Sequence, residues 1–425
     1  MKLEKFSSAS FFTGIGGFDL GFERAGIETV FQCEIDEFCS SVLEEHWPKV
    51  KRCNDIRNIE AASIPETQVW SGGFPCQDVS LARAGRRNGL KGQNSGLFYP
   101  FAALIKERLP KVIVMENVTG LLNSHNGQDF AIILHTLEQL GYGVAWRTLN
   151  ARYFGVPQSR PRVFICAWAG STVAAYHVLF EGGHLHLAEK PRAGFLREYE
   201  CEITGARVPE VAFCLAATSG RHTGTDWSRS YVAYETEVRR LTPTEYERIQ
   251  GFPDNWTLPH ENFPLQGGDL DSPRYKAVGN AVSVPVVQWI GERIVKQLQQ
   301  PTSYIEGFDL FHTIDRFGGH TPELAGKEAK KVDLPLISGH DDAPQIKWSN
   351  GGIVEKGTCL MGPVSQYPLN PVTSRLIDVL DKNRPDERYF LSANAAQGIL
   401  RRVNSQGRQL FKPLALALTR LQSLA

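Results

Sequence analysis

The sequence predicts an α/β protein with a doubly wound, largely parallel sheet. Between residues 6 and 165, short apolar runs alternate with amphipathic stretches, as strands flanked by helices require. A glycine turn follows the first run, and several later runs end at acidic residues. Open α/β sheets bind ligands at the carboxyl ends of their strands. We therefore expect a functional site along that edge of the sheet.

The first elements can be assigned from the spacing of apolar residues. A strand through Ser10-Phe11-Phe12 leads into a glycine turn and a helix with its apolar side chains on one face. A second strand ends at Glu34, and a further short segment ends at Asp55. An uninterrupted apolar run over residues 112–115 predicts a buried strand that ends at Glu116.

Changes in pattern divide the rest of the chain. Gly-, Ser- and Arg-rich loops after residue 168 suggest a smaller inserted domain, and apolar periodicity returns near its end. We predict a catalytic domain at 1–168, the inserted domain and the motif after it at 169–272, a segment returning to the catalytic domain at 273–298, a linker at 299–345, and an appended small, partly helical domain at 346–425.

Charge and cysteine content exclude several classes of protein. Lys and Arg total 46, as do Asp and Glu, so a nucleic-acid partner would have to meet a local basic face. The eight cysteines form no C-x-x-C pair, which argues against a disulfide framework or a structural zinc site. The pair His184 and His186 lacks a third ligand nearby, so no metal is expected. Without an apolar leader or spanning stretch, we expect a cytoplasmic protein with no membrane role.

Cys76 is the candidate nucleophile. It follows Gly72-Gly73-Phe74-Pro75, where glycines permit tight turns and the proline stiffens the approach. A thiolate at a loop tip can attack an electrophilic carbon. Free cysteines also serve as inert packing residues, and the segment alone leaves both interpretations open.

The glycine turn favours a nucleoside ligand. Gly14-Ile15-Gly16-Gly17 lacks the sixth-position glycine of dinucleotide-binding turns. Glu34 can accept hydrogen bonds from two ribose hydroxyls and Asp55 from an adenine amino group. Taken separately, each carboxylate is equally consistent with a solvated strand end.

Six short motifs in the same order resemble those of DNA (cytosine-5)-methyltransferases. The resemblance covers residues 6 to 298 apart from the inserted segment, which it identifies as a target-recognition domain. The motifs are Phe12-Thr13-Gly14-Ile15-Gly16-Gly17, Gly72-Gly73-Phe74-Pro75-Cys76-Gln77, Glu116-Asn117-Val118, Gln158-Ser159-Arg160-Pro161-Arg162, Arg240-Leu241-Thr242-Pro243 with Glu245, Arg248, Gln250 and Gly251, and Gly279-Asn280-Ala281-Val282.

The resemblance implies a covalent mechanism and a fold of the S-adenosylmethionine-dependent, Rossmann-like type. Cys76 would add to C6 of cytosine and so activate C5 toward the methyl donor. Glu116 would act as the acid at N3, and Arg160 or Arg162 would stabilise O2. The base that removes the C5 proton is left unassigned.

The resemblance also implies a pocket for S-adenosylmethionine and a DNA partner. The substrate would be duplex DNA whose cytosine is flipped into the site, with residues 78–98 as the closing loop. We expect a monomer from a bacterial host or phage, and whether a cognate restriction endonuclease accompanies it is open. The implied cofactor residues are Phe12, Gly14, Gly16, Glu34, Asp55, Ile56, Pro75, Asn280 and Val282.

Three positions depart from the family's usual pattern. Ser10 stands where an aspartate is common, so a supporting contact is expected to be lost there. Asn94 replaces a frequent arginine of the loop, and the inserted segment is short for target recognition.

The tail and the whole chain each admit alternatives. Ser392 predicts the start of one helix and Pro413 that of a second, with arginines around their junction. This pair is interpreted either as a helix-turn-helix-like DNA clamp or as a docking or oligomerisation hairpin. For the whole protein, a dinucleotide-dependent oxidoreductase, a non-catalytic DNA-binding regulator and an RNA methyltransferase compete with the DNA methyltransferase that we favour.

Overall fold

A large and a small β-sheet organise the chain. The computed structural model describes residues 5–75, 97–181, 197–218, 226–259, 269–300, 330–334 and 345–423. The strands in these ranges are β1 (Phe6–Phe11), β2 (Ile27–Cys33), β3 (Lys51–Cys53), β4 (Val69–Gly72), β5 (Val112–Val118), β6 (Tyr142–Asn150), β7 (Pro161–Ala169), β8 (Glu198–Glu200), β9 (Arg207–Pro209), β10 (Tyr231–Ala233), β11 (Val238–Arg240), β12 (Lys330–Asp333), β13 (Gly351–Glu355) and β14 (Thr358–Gly362).

Helices cover both faces of the large sheet. The main ones are α1 (Gly17–Arg24), α2 (Glu37–His46), α3 (Phe98–Arg108), α4 (Gln128–Gln139), α5 (Thr172–Leu179), α6 (Pro243–Gln250), α7 (Asp271–Asn280) and α8 (Val284–Leu298). A short helix spans Leu376–Val379, and two longer ones, called the tail helices here, span Ala393–Ser405 and Lys412–Gln422.

The large sheet is parallel on one side and antiparallel on the other. Its strand order is β12-β14-β13-β6-β7-β5-β4-β1-β2-β3. The pairs from β3 through β2, β1 and β4 to β5 are parallel, and those from β5 through β7 to β12 are antiparallel. The predicted α/β class is confirmed, and the parallel strands carry the predicted strand-end residues.

Side chains that point alternately to the two faces of the large sheet divide the core into two layers. Trp70 packs with Phe11 and Phe101 on the face covered by α3 and α4, with ring centroids 4.7 Å apart between Phe11 and Trp70. The preceding residue, Val69, faces the opposite layer with residues of α1, α5 and α8. Successive strand side chains point to opposite faces, so both faces of a central strand must be apolar.

The C-terminal region returns to the large sheet through close contact between two helices. A Cβ built on Gly21 of α1 would lie 2.6 Å from Val287 of α8, and one on Gly291 would lie 2.7 Å from Ala25. Only glycine allows the two backbones to approach this closely. The contact holds residues 284–298 against the helix that follows the glycine turn.

Two segments pack against the large sheet although the predicted boundaries place them in other domains. Helix α5 falls inside the predicted inserted domain, yet its apolar residues pack against the large sheet. Strand β13 falls inside the predicted appended domain, yet Gly352 pairs with Trp146 of β6. The hairpin β13–β14 covers what would otherwise be an exposed edge at β6, whose residues are all buried in the folded chain. Residues 346–425 are therefore divided between the two sheets and do not form a body of their own.

The tail helices cover the small sheet, whose order is β11-β10-β9-β8. Ile399, Leu414 and Leu418 are buried against Tyr231 and Val238 of the sheet. The predicted caps are present, since the Ser392 hydroxyl accepts a hydrogen bond from the Ala395 amide at 3.2 Å. Both predicted tail helices are confirmed as helices packed against each other, and the sheet beneath them is a feature that spacing did not predict.

Candidate active site

The glycine turn and Glu34 form one side of the site. Gly14 and Gly16 have positive φ angles of 59° and 82°, which glycine adopts without strain. The Gly14 amide donates to Glu34 Oε2 at 2.6 Å and the Asp36 amide donates to Oε1 at 2.8 Å. Burial raises the pKa of Glu34, while these two hydrogen bonds oppose the rise. The carboxylate is thus held in place at the end of β2.

A buried hydroxyl pair supports the turn from below. Ser10 Oγ donates to Asp19 Oδ1 at 2.9 Å and lies 3.0 Å from Thr13 Oγ1. Gln32 Nε2 also donates to Asp19 Oδ1, at 3.0 Å. Ser10 therefore keeps a supporting role in the turn, although the aspartate common in the family is absent. Burial raises the pKa of Asp19 to about 6, since no cation neutralises it among the described residues.

The glycine turn borders open space and several apolar side chains. A Cβ built on Gly14 would meet no atom within 4 Å, so the backbone there faces open space. Phe12 is half-buried and turns its ring edge-on to Phe101, with centroids 6.1 Å apart. Ile56, the residue that follows Asp55, is buried, and the sequence predicts that it contacts the adenine. Apolar side chains and the fixed Glu34 carboxylate are thus found on the predicted cofactor side of the sheet.

Asp55 is already paired within the protein. Both of its oxygens accept hydrogen bonds from Arg57, with Nη2 at 2.6 Å from Oδ2. The hydrogen bonds from Arg57 lower the pKa of Asp55. An adenine amino group would therefore share this carboxylate with Arg57.

The segment after α7 closes the turn from the other side. A Cβ on Gly17 would lie 2.8 Å from Val282 Cγ1, so Val282 packs directly on the backbone that starts α1. Asn280 is exposed at the end of α7. Of these two predicted cofactor residues, Val282 contacts the glycine turn.

Glu116 and Arg162 form a charged pair at the end of β5. Arg162 Nε lies 3.0 Å from Glu116 Oε1, and the two side chains are only 15% and 13% exposed. Within the described residues no donor makes a well-aligned hydrogen bond to Oε1 of Glu116, although the atom is buried. The guanidinium thus approaches at ion-pair distance and leaves hydrogen-bonding capacity on the carboxyl for a ligand.

The chain leading to Cys76 passes this pair. A Cβ on Gly73 would lie 3.7 Å from Glu116 Oε2. Asn117 Nδ2 donates to the Phe74 carbonyl at 3.3 Å and fixes the same segment. Pro75 is the last described residue before a gap, and Cys76, with Asn94 and the rest of loop residues 78–96, lies outside the described residues. Sequence reasoning gave Asn117 no role, although its place in the Glu116 motif was a signal.

Arg160 occupies a different place from Arg162. It is buried and donates to the carbonyls of Leu215, Gly279 and Ala281 at 2.9, 3.1 and 2.8 Å. Burial lowers the pKa of its guanidinium. Arg160 therefore joins three backbone segments, and of the two predicted candidates for O2 only Arg162 meets Glu116.

Two buried glutamines join the same part of the backbone as Arg160. Gln158 Nε2 donates to Gln250 Oε1 at 2.8 Å, and Gln158 Oε1 accepts from the Leu215 amide at 3.0 Å. Gln250 donates in turn to the Val278 carbonyl at 3.0 Å. Both glutamines occur in motifs that the sequence singles out, but only the folded chain brings the motifs together.

Cys214 is a residue that spacing gave no reason to select. Arg160 Nη1 and Arg162 Nη2 each lie 3.6 Å from its sulfur. Burial would raise the pKa of this thiol, but the two guanidinium groups outweigh burial and the net pKa is lowered. Arg162 thus contacts the Cys214 sulfur as well as Glu116.

Neither a metal cluster nor a membrane-spanning helix is found in the described part of the chain. No group of three His, Cys, Asp or Glu side chains there is placed to hold a metal ion. His184 and His186 fall in the undescribed range 182–196. Within the same described ranges, no helix combines the length and apolar character needed to cross a membrane.

The fold and site together define an α/β enzyme with a glycine turn and a fixed carboxylate at one strand end and an acid–guanidinium pair on the same sheet. The chain belongs to the C-5 cytosine-specific DNA methylase family, whose sequence model matches residues 6–190 and 196–296, and it is a DNA cytosine-5 methyltransferase. Residues after 296 lie beyond that match.

Similarity to bacterial methyltransferases supports this assignment. The chain is 34% identical to Type II methyltransferase M2.BsuMI of Bacillus subtilis over 318 residues, covering 71% of this chain and 77% of the relative. It is 32% identical to Type II methyltransferase M.NgoBI of Neisseria gonorrhoeae, over 67% of this chain and 91% of the relative. The family resemblance predicted from the motifs is confirmed.

Solved structures agree in fold. The Dnmt2 methyltransferase of S. pombe superimposes with a TM-score of 0.51 at 17% identity, over 69% of this chain and all of that chain. A mutant of Spodoptera frugiperda DNMT2 gives 0.50 at 18% identity, with the same coverage. At this level of identity the likeness extends to the fold alone.

Proposed function

We propose that the protein transfers a methyl group from S-adenosylmethionine to C5 of a cytosine in duplex DNA, through a transient bond between Cys76 and C6. The observation that carries the proposal is the pair Glu116 and Arg162, set beside the backbone that leads to Cys76. An acid, a cation and a thiol at one strand end are what addition to a cytosine ring requires.

Cys76 makes the ring reactive. Its thiolate forms a bond to C6, and the electrons of the C5–C6 double bond move so that C5 becomes nucleophilic. Bound S-adenosylmethionine supplies the methyl group that C5 takes up. Loss of the C5 proton to a base then restores the double bond and releases the Cys76 thiolate. Each bond formed to sulfur is broken again, so the thiol is regenerated.

Glu116 and Arg162 stabilise the charge that addition creates. Negative charge spreads over N3 and O2 of the ring, where protonated Glu116 donates to N3 and Arg162 donates to O2. The low exposure of the two side chains excludes competing water. Since Arg162 is also held by Cys214, the cation keeps its position before the base arrives.

The cofactor residues are those around the glycine turn. Glu34 would hold the ribose hydroxyls, because backbone amides already fix its carboxylate. Phe12, Ile56 and Val282 would form apolar contacts with the purine and its surroundings. The open space at Gly14 leaves room for the nucleoside. Pro75, Gly16 and Asn280 complete the proposed pocket.

The nucleic-acid partner is proposed to be duplex DNA. The reacting atoms of cytosine lie inside the base stack, so the base must be flipped into the site. The relatives named above are Type II methyltransferases, which supports a role in a restriction-modification system. A monomeric enzyme suffices for this reaction.

The adduct can be trapped with duplex DNA that contains 5-fluorocytosine. Fluorine at C5 cannot leave as a proton, so after methyl transfer the elimination of Cys76 should be blocked, and the enzyme should remain covalently bound to DNA on a denaturing gel. We expect the adduct with the parent and with Cys201→Ser, whose thiol is also free, and none with Cys76→Ser. An adduct formed by Cys76→Ser, or methylation by it at the parental rate, would refute the proposal.

Two further measurements separate the remaining alternatives. Transfer of tritium from labelled S-adenosylmethionine to duplex DNA and to RNA tells the two polymers apart, and we expect DNA to be labelled. Binding of NAD instead of S-adenosylmethionine would favour an oxidoreductase. Bisulfite sequencing of DNA from cells that express the chain would then identify the methylated sequence.

A further inference from the structure

The charged residues of the tail helices are all basic. Residues 391–425 contain five basic and no acidic residues, although the whole chain has 46 of each. This segment also lies outside the residues that the family model matches. The family's chemistry therefore leaves the basic segment unexplained. Its basic residues are Arg401, Arg402, Arg408, Lys412 and Arg420.

Three of these cations have no carboxylate partner among the described residues. Arg401, Arg408 and Lys412 are exposed near the junction of the tail helices, where Gly407 ends the first helix. In the described part of the chain, no carboxylate forms an ion pair with any of the three. Arg420 differs, since it lies 3.4 Å from Glu235. Uncompensated charge is thus concentrated at the junction.

The tail helices and the segment before them are attached to the small sheet. The Leu391 amide donates to the Val238 carbonyl at 2.8 Å, and Arg384 Nη1 lies 2.8 Å from Glu237 Oε2. The apolar faces of both tail helices are buried on the sheet. The cations cannot move far from this surface without breaking an apolar core.

The junction also lies next to the segment that joins β9 to β10. The Arg408 guanidinium is 4.5 Å from the ring centroid of Trp227, within cation–π range. Trp227 belongs to the inserted region that resembles a target-recognition domain. The basic junction and this region are therefore parts of one surface.

We infer that Arg401, Arg408 and Lys412 of the tail helices bind the phosphates of the same DNA duplex on which the enzyme acts. The inference rests on the proposed function, because it takes duplex DNA as the substrate. Exposed cations on a fixed support position a duplex without reading its sequence. Each phosphate contact releases counterions, so affinity depends on salt concentration.

The test compares two full-length triple variants. The tail variant carries Arg401→Gln, Arg408→Gln and Lys412→Gln, and the control carries Lys106→Gln, Lys347→Gln and Lys356→Gln on the large-sheet side. Both lose the same charge from exposed positions. The measurement is the dissociation constant for a duplex oligonucleotide between 50 and 200 mM salt.

For the tail variant we expect the slope of log affinity against log salt to fall by about 2.7, at about 0.9 for each contact. Over this salt range the parent should lose about 40-fold more affinity than the tail variant. The control should keep the parental slope. The inference would be overturned if the tail variant kept the parental slope, or if the slope fell equally in both variants. A parental slope in the tail variant is the expected result if the tail binds an acidic protein and not DNA.

Two measurements keep the outcome interpretable. The pair variant Arg401→Gln with Lys412→Gln leaves the Arg408–Trp227 contact intact and should lower the slope by about 1.8. At saturating DNA the tail variant should methylate at the parental rate, with a raised KM for DNA. Absence of methyl transfer by the parent itself would instead refute the proposed function, so the two failures are distinguishable.

Discussion

Arg162 and Glu116 meet across neighbouring antiparallel strands, offset by two residues. Arg162 of β7 is paired in register with Val118 of β5, two residues beyond Glu116. Residues two apart on a strand lie on the same face, and diagonal neighbours are within reach of long side chains. The 3.0 Å contact between their charged atoms therefore follows from the register of the two strands.

The first prediction concerns the two arginines. Arg162→Lys should lower kcat by about 10²-fold to 10³-fold, because an ammonium cannot contact Glu116 and a substrate oxygen as the guanidinium fork does. Because lysine keeps a positive charge beside Glu116, the free energy of unfolding of this variant should fall less than that of an Arg160 variant. Single-turnover methyl transfer and urea unfolding measure the two effects.

In contrast to Arg162→Lys, Arg160→Leu should mainly lower the free energy of unfolding. It removes the donors to the Leu215, Gly279 and Ala281 carbonyls and leaves them buried without partners, at about 1–3 kcal/mol each. We expect a loss of at least about 3 kcal/mol in unfolding free energy. An Arg160 variant with parental stability and low kcat would contradict the division of roles.

The second prediction tests the contact between Gly17 and Val282. Gly17→Ala places a methyl group 2.8 Å from Val282 Cγ1 and should weaken S-adenosylmethionine binding by about tenfold, or about 1.4 kcal/mol. Adding Val282→Ala makes room and should recover part of the affinity. Calorimetric titration of the two variants measures this. If the second change gives no recovery, the side-chain contact is not the cause.

The third prediction concerns pH. The folded chain raises the pKa of Asp19 from 3.8 to about 6, so the folded state holds this proton more tightly than the unfolded state. Stability from this group is present at low pH and is lost as the pH rises from about 4 to 6, by roughly 3 kcal/mol. Asp19→Asn should lack that loss.

The measurement is urea unfolding of parent and variant across this pH range. The stability of Asp19→Asn relative to the parent should increase with pH and level off above about pH 6. The difference cancels the titration of other groups. A constant difference across the range would show that Asp19 titrates normally.

The fourth prediction concerns the buried pair Arg239 and Glu245. Both side chains have no exposed area, and Arg239 donates to both carboxylate oxygens at 2.8 Å. Arg239→Met would leave the Glu245 charge buried without its cation and should cost about 3–5 kcal/mol. Because Glu245 Oε1 also accepts from the Asp381 amide, the segment before the tail helices should become sensitive to protease. Parental stability would contradict this.

The fifth prediction is that the tail cannot be removed cleanly. A chain that ends at residue 345 lacks β13, so β6 becomes an exposed edge. It also lacks the tail helices that bury Tyr231 and Val238. We expect aggregation or a large loss of thermal stability, measured by light scattering during heating. For this reason point variants, not truncation, test the role of the tail in DNA binding.

Local features of this protein could be predicted from the sequence. Gly26 has the positive φ expected of a residue that ends α1, and Pro243 occupies the first turn of α6 with Thr242 as its cap. Glu34 and Asp55 follow strands as expected, and Glu116 lies two residues before the end of β5. These features depend on neighbours a few residues away, which spacing and residue type express directly.

The tertiary structure alone decided which distant residues meet. Motif order could not choose between Arg160 and Arg162, because the choice depends on the register of β5 and β7. Nor could it select Cys214, or assign β13 to the large sheet and the tail helices to the small one. The sequence by itself determined the class of protein and the inventory of chemical groups; folding decided their partners, because contacts across a sheet join residues that no local pattern links.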